Sequence, residues 1–412
     1  MKIAILGAGI SGLSIAKLLK DNFDVQLFER DAKPGGIAKT EWINNIAFHN
    51  TGGHCFNSNY AEVLDFVFGK VMPREEWNVI ERKAQIQLNG FDIPYPIEYA
   101  LKDIYEHDAD LALNIASDYF SCDNKAKSKN LSQWFENNFG KTLTELYFRP
   151  YNEKIWNKKL EEMSPIWVED KLPIPDKSSV LRSFFETESD KMPHRFFFYP
   201  KSNDQNTFIG KLVQNLNINY NYLINKIDYN SSTKKWSLNN QESFDLIIST
   251  IPLNILPQLI SNVPNHIVNH SKKLKYNKLT TMLWESQPTK STWTYIPDKN
   301  KLAHRYIHIG NFFNPGQNFT ITEAVGAYSF EEMAESEKNN PFFIKPITNH
   351  ISDHAYVVFD HEYEKARKEI LNYLNQLNLY TLGRFGEWQY YNMDICIKRS
   401  LELSKEIIEK YS

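Results

Sequence analysis

The chain has 412 residues, 42% hydrophobic and 24% charged, a balance that excludes wholesale disorder and suits two to three domains. Its 47 basic and 50 acidic residues leave a net charge of −3, which excludes the basic field of a general nucleic-acid binder. Cys55, Cys122 and Cys396 are too few and too far apart for a disulfide framework or a zinc site, and no apolar run reaches membrane-spanning length, so a soluble protein of the reducing cytoplasm is expected.

In chain order, Lys2–Leu6 is a short apolar run ending at a glycine and predicts a buried strand. Three spaced glycines follow where a signal peptide would need a cleavage site. Residues 11–20 carry Leu13, Ala16, Leu18 and Leu19 at helical spacing, and Asp24–Phe28 predicts a second strand. Asn89-Gly90 between extended segments 85–88 and 91–97 predicts a hairpin. Residues 98–190 read as mostly helical, with a solvated lysine-rich loop at 121–130. Leu131, Trp134, Phe135, Asn138 and Phe139 follow a helical period that Gly140 stops. Thr142 and Glu145 make a capping-box pattern, and Pro150 is expected to interrupt the helix that follows. Segments 195–199, 222–228, 236–238, 244–250, 279–284, 305–309 and 319–325 are β-rich. Two helical stretches close the chain across 362–412, separated by residues 381–391.

Gly7-Ala8-Gly9-Ile10-Ser11-Gly12 matches GxGxxG, follows a strand, opens a helix and is followed by a strand ending at Glu29. Gly7 permits the tight turn, Gly9 lets a pyrophosphate approach the backbone, and Gly12 lets helix and strand pack closely. Ser11 begins the helix whose N-terminal amides and dipole would face the phosphates. Glu29 is placed to accept from ribose hydroxyls, with Arg30 beside it. A second glycine pair, Gly35-Gly36, looks like the extended FAD signature of glutathione-reductase-like and amine-oxidase-like flavoproteins. Thr381 to Trp388 resembles the second FAD motif of that superfamily, in which Arg384 would meet the pyrophosphate, with Met393 opening the last helix beside the cofactor.

Beyond these motifs the chain resembles the flavin-dependent UDP-galactopyranose mutases, especially the eukaryotic type. Asn50-Thr51-Gly52-Gly53-His54 looks like that family's GGH turn, whose backbone lies against the flavin. Ile93-Pro94-Tyr95-Pro96 resembles a hairpin near the nucleotide site. The closest match runs from Phe148 to Trp156, and residues 383–394 match again. The resemblance implies that Tyr151, Asn152 and Trp156 receive the nucleotide base, that Tyr390 and Arg305 meet the diphosphate, and that Gly52, Gly53 and His54 shape the flavin face. Lys171 and Glu98 are departures, standing where the family pattern suggests an arginine and a glutamine. His54 is read as shaping the turn, Cys55 as an inert buried thiol, and His304 and His308 as packing or solvent-facing. No metal-ligand spacing appears.

The expectation is therefore an α/β protein: a Rossmann-like FAD-binding domain (1–90, 194–260 and 350–412), a helical insertion (91–193) and an antiparallel β-sheet substrate domain (261–349). The resemblance implies pyranose/furanose isomerisation of a UDP- or dTDP-sugar by attack of reduced flavin N5 on the anomeric carbon, with NADPH or NADH as reductant. Its expected partner is the nucleotide sugar, with no nucleic acid and no membrane, and a homo-oligomer is allowed. The alternative is an amine-oxidase-like or desaturase-like FAD oxidoreductase.

Overall fold

Apolar runs without alternation belong in a sheet covered on both faces, and the opening strand obeys this rule. In the computed structural model, which describes residues 1–169, 172–186 and 195–412, Ile3 to Leu6 are fully buried. Lys2–Leu6 lies at the centre of a five-stranded sheet in the order Leu379–Thr381, Leu246–Ser249, Lys2–Leu6, Asp24–Phe28, Ile218–Asn219. Every pairing in it is parallel, with Ile5 opposite both Ile248 and Leu27. The helices Ile10–Leu19 and Met393–Tyr411 pack together on it. Strands from four separated stretches of chain thus build one Rossmann-like unit, as the sequence order predicts.

The second large element is a seven-stranded sheet in the order Phe343–Val357, Tyr276–Ser286, Phe319–Val325, Arg305–Ile307, Trp293–Tyr295, Ala84–Leu88, Phe91–Pro94. It is antiparallel except where Trp293–Tyr295 runs parallel to Ala84–Leu88. One register row places Tyr295, Arg305, Glu323, Thr281 and His350 side by side. Residues opposite one another point to the same face, so this row sets much of the site.

Several expectations are corrected. The hairpin at Asn89-Gly90 forms, but it joins the large sheet, so the expected boundary at 90/91 falls inside it. The boundary at 349/350 falls inside Phe343–Val357. That strand, the longest among the described residues, was not expected: it is an edge strand, half-buried over most of its length, and its polar residues carry no buried alternation. The segment 222–228 is a strand only over Ile227–Asn230. Thr142 caps nothing; its hydroxyl and amide both donate to Asp118 Oδ2, at 2.6 and 2.8 Å. Pro150 interrupts nothing either. The chain stays helical from Lys141 to Trp156, and the π turn at Thr144–Phe148 immediately before Arg149–Trp156 accommodates Pro150 in that helix's first turn.

Candidate functional site

The two sheets flank a cleft of about 970 Å³ that the glycine motifs line from one end. Gly7 has φ +100°, and a Cβ there would strike Thr250 Oγ1, whose hydroxyl donates to Leu6 O at 2.8 Å. Gly12 packs against the Gly7 carbonyl, as the motif requires. Gly9 caps the helix without a side-chain hydrogen bond, and no acidic residue occupies the first turn, so its amides and positive end are left for an anion. A Cβ on Gly36 would come within 3.1 Å of Gly9 Cα, and Gly35 bridges to Gly9. Glu29 lines the cleft and is buried; its Oε2 accepts from Ala8 N at 2.7 Å and its Oε1 from Asp31 N at 2.9 Å. It therefore ties the glycine turn to the strand end, with a lone pair on each oxygen left for a ligand. Arg30 stands at the mouth, largely exposed.

The C-terminal motif closes the same end. Gly383 has φ +85°, and a Cβ there would meet Ser11 Oγ, so residues at opposite ends of the chain touch. Glu387 Oε2 accepts from Gly383 N at 3.0 Å. Arg384 donates through Nη2 to Ala355 O at 2.7 Å and lies 4.4 Å from the Tyr390 ring centroid. Its Nε is buried with no hydrogen-bond partner among the described residues, a donor awaiting an acceptor. Met393 lines the cleft from the start of the last helix, and Tyr390 stacks with Tyr356 at 6.1 Å. Close glycines, an uncapped helix N-terminus and an orphaned guanidinium donor together fit a dinucleotide.

In the middle of the cleft, Gly52 and Gly53 lie against the large sheet. A Cβ on Gly52 would collide with Glu323 Oε1, and one on Gly53 would come within 2.9 Å of Ile307. His54 donates through Nε2 to Thr51 O at 3.2 Å. Burial, with the Arg384 charge next, pushes its imidazole down to about 4, so it stays neutral. Burial pushes the Cys55 thiol up to about 12, an inert group. Arg305 donates through Nε to Glu323 Oε2 and through Nη2 to Tyr356 OH at 3.3 Å. Burial alone would raise the Glu323 carboxyl, but Arg305 and then His304 outweigh it and hold it down at about 2.

Helix Arg149–Trp156 behaves differently from expectation. Tyr151 stacks on Tyr147 at 5.4 Å and meets Tyr295 edge-on. Asn152 is buried, its amide donating to Phe148 O and its Oδ1 accepting from Trp156 Nε1 at 3.2 Å. Trp156 is 2% exposed, edge-on to Trp167, Tyr356, Phe359 and Tyr390. None of these three lines the cleft, so Trp156 is a core residue here and offers no free face to a base. Lys171 lies outside the described residues. His304 and His308 are both buried, so they pack and do not face solvent. Among the described residues no cluster suited to a metal ion occurs, and no helix is long and apolar enough to cross a membrane.

Sequence reasoning missed Glu323, Arg82 and Tyr356. Glu323 carried a signal, a lone carboxylate inside the apolar strand Phe319–Val325. Arg82 gave none: it follows an exposed strand end, yet it lines the cleft with its guanidinium 4.8 Å from the Trp293 ring and its Nη2 2.6 Å from Tyr295 OH.

The parallel sheet, glycine turn and helix N-terminus define a Rossmann-like fold carrying a second, largely antiparallel sheet, with a cleft that fits a dinucleotide. The family described as "NAD(P)-binding Rossmann-like domain" matches residues 5–68. Over nearly its whole length the chain is similar to the UDP-galactopyranose mutase of Mycoplasma genitalium, 22% identical with 98% of this chain and 94% of that protein covered. A crystal structure of reduced UDP-galactopyranose mutase superposes with a TM-score of 0.86 at 20% identity, covering 99% of this chain and 94% of that one. A putative protoporphyrinogen oxidase from Exiguobacterium follows at 0.75 and 15%, covering 99% of each chain. The resemblance to UDP-galactopyranose mutases read from the motifs is borne out along the chain.

Proposed function

We propose that this chain is a flavin-dependent pyranose/furanose mutase acting on UDP-galactopyranose or a related UDP- or dTDP-sugar. The observation that carries the reading is the likeness to UDP-galactopyranose mutase over 98% of the chain in sequence, joined by the likeness in fold. FAD would be held by Gly7, Gly9, Ser11, Glu29 and Gly36 of the first glycine motifs together with Arg384 and Met393 of the C-terminal motif that meets them. When bound and reduced, by NADPH or NADH, it supplies the nucleophile that the anomeric carbon needs. Cys55, protonated at neutral pH, does not compete for that role.

Arg305 receives the departing diphosphate in this reading, with Tyr390 beside it, and Arg82 adds a second fixed cation to the same cleft. Glu323 and Tyr356 hold Arg305 in place before substrate arrives, so little reorganisation is needed as charge develops on the leaving group. The two sheets hold cofactor and sugar together and keep water from the reacting carbon. Under anaerobic dithionite the purified chain should interconvert UDP-galactopyranose and UDP-galactofuranose, resolved by chromatography. Inertness toward every UDP- and dTDP-hexose offered, or accumulation of an oxidised product, would replace this reading with the oxidoreductase one.

A further inference from the structure

Beneath the glycine turn lies a buried pair that neither the motifs nor the cleft chemistry uses. His49 ends the strand Ile46–His49, is 0% exposed and does not line the cleft. Its Nδ1 lies 3.2 Å from the backbone N of His54, and its Nε2 lies 2.7 Å from Tyr199 OH, itself 0% exposed. A backbone amide can only donate, so Nδ1 must be the acceptor and the ring proton must sit on Nε2, which donates to Tyr199. The turn is pinned elsewhere as well: Gly52 N donates to His49 O at 3.3 Å, and Thr281 Oγ1 donates to Asn50 O at 2.8 Å.

In a trans peptide the N–H and the preceding C=O point in opposite directions. Because the His54 N–H is turned inward onto His49, the Gly53 carbonyl is turned outward. Gly53 lines the cleft, so that carbonyl is a hydrogen-bond acceptor on its wall. Burial holds the His49 imidazole at about 3, which keeps Nδ1 free to accept. We propose that His49 and Tyr199 form a latch that fixes the Gly53–His54 peptide in one orientation and so presents a permanent acceptor to whatever occupies the cleft. His49 is thus a positioning residue. The latch itself is independent of the mutase reading; only its effect on the absorbance of a bound flavin rests on that reading.

The test uses the full chain as purified, labelled with 15N-histidine and at the backbone. Wild type should show His49 as the neutral Nε2–H tautomer, and the His54 amide should exchange slowly. His49→Phe leaves the His54 N–H without its acceptor, so that amide should exchange at least about tenfold faster than neighbouring amides change. His49→Gln, which can accept and donate in the same order, should restore slow exchange, and Tyr199→Phe should keep the His54 contact while releasing the ring proton's acceptor. The absorbance spectrum of the bound flavin should shift in His49→Phe and return in His49→Gln. An Nδ1–H tautomer in wild type, or a His54 amide unchanged in a folded His49→Phe, would overturn the proposal. These readouts need no turnover, so a failed mutase assay leaves them standing.

Discussion

Replacing Arg305 by alanine should do two separable things, because the structure gives the guanidinium two tasks. It faces the cleft, and it neutralises Glu323, whose side chain is 0% exposed. Arg305 removed, the carboxylate keeps only His304 among the described residues, with Nε2 at 3.4 Å. Breaking a buried pair by removing one partner costs about 3–5 kcal/mol. Arg305 is itself 22% exposed, which lets water reach the vacated space and sets the expectation near the lower end, ~3 kcal/mol. The double variant Arg305→Ala/Glu323→Gln carries no stranded charge and should recover most of that stability. Turnover should not follow. A lost contact to developing negative charge costs about 100- to 1,000-fold in rate, and neither variant restores the cation. Urea unfolding of wild type, both singles and the double gives the coupling energy, and reduced-enzyme turnover gives the rate. A double variant no more stable than Arg305→Ala would refute the ion-pair argument, and full turnover in Arg305→Ala would remove the residue from the site.

Burial raises the Glu98 carboxyl to about 7 from its ordinary 4.5, so the folded chain holds a proton there that the unfolded chain releases. Stability should therefore fall as pH rises between about 4.5 and 7, by on the order of 3 kcal/mol, and then level off. Glu98→Gln should remove this fall, and superimposable urea midpoints for wild type and variant at pH 5 and pH 8 would contradict it. Trp156→Ala should cost about 3–5 kcal/mol of stability as a large core truncation. A Trp156→Ala protein of normal stability that has lost only UDP binding, by titration calorimetry, would restore the stacking role and contradict the packing.

How far the site was legible depends on the distance over which each feature is decided. Gly7, Gly9 and Gly12 are read locally, because a turn, a close approach and a helix start all lie within six residues. Arg384 was legible for the same reason, through its neighbours in the second motif. Glu323 was not, because its meaning depends on the register that sets it opposite Arg305 across two strands. Trp156 was misread because what covers it, Tyr356, Phe359 and Tyr390, comes from about 200 residues further along the chain. An aromatic pair on a helix looks the same whether a ligand or a distant strand lies over it. The edge strand Phe343–Val357 was hidden because residues 343–351 are at most half-buried on either face, so its sequence carries no apolar alternation.

Catalysis through a flavin without net redox change is checked by product counted per reducing equivalent. The protein is freed of oxygen, reduced with a measured, substoichiometric amount of dithionite, and given UDP-galactofuranose; FAD released by heat is quantified by mass spectrometry in the same sample. Bound FAD and many molecules of UDP-galactopyranose for each equivalent supplied are expected, with the oxidised protein inactive. One product or fewer per equivalent, or conversion by protein that releases no FAD, would contradict it.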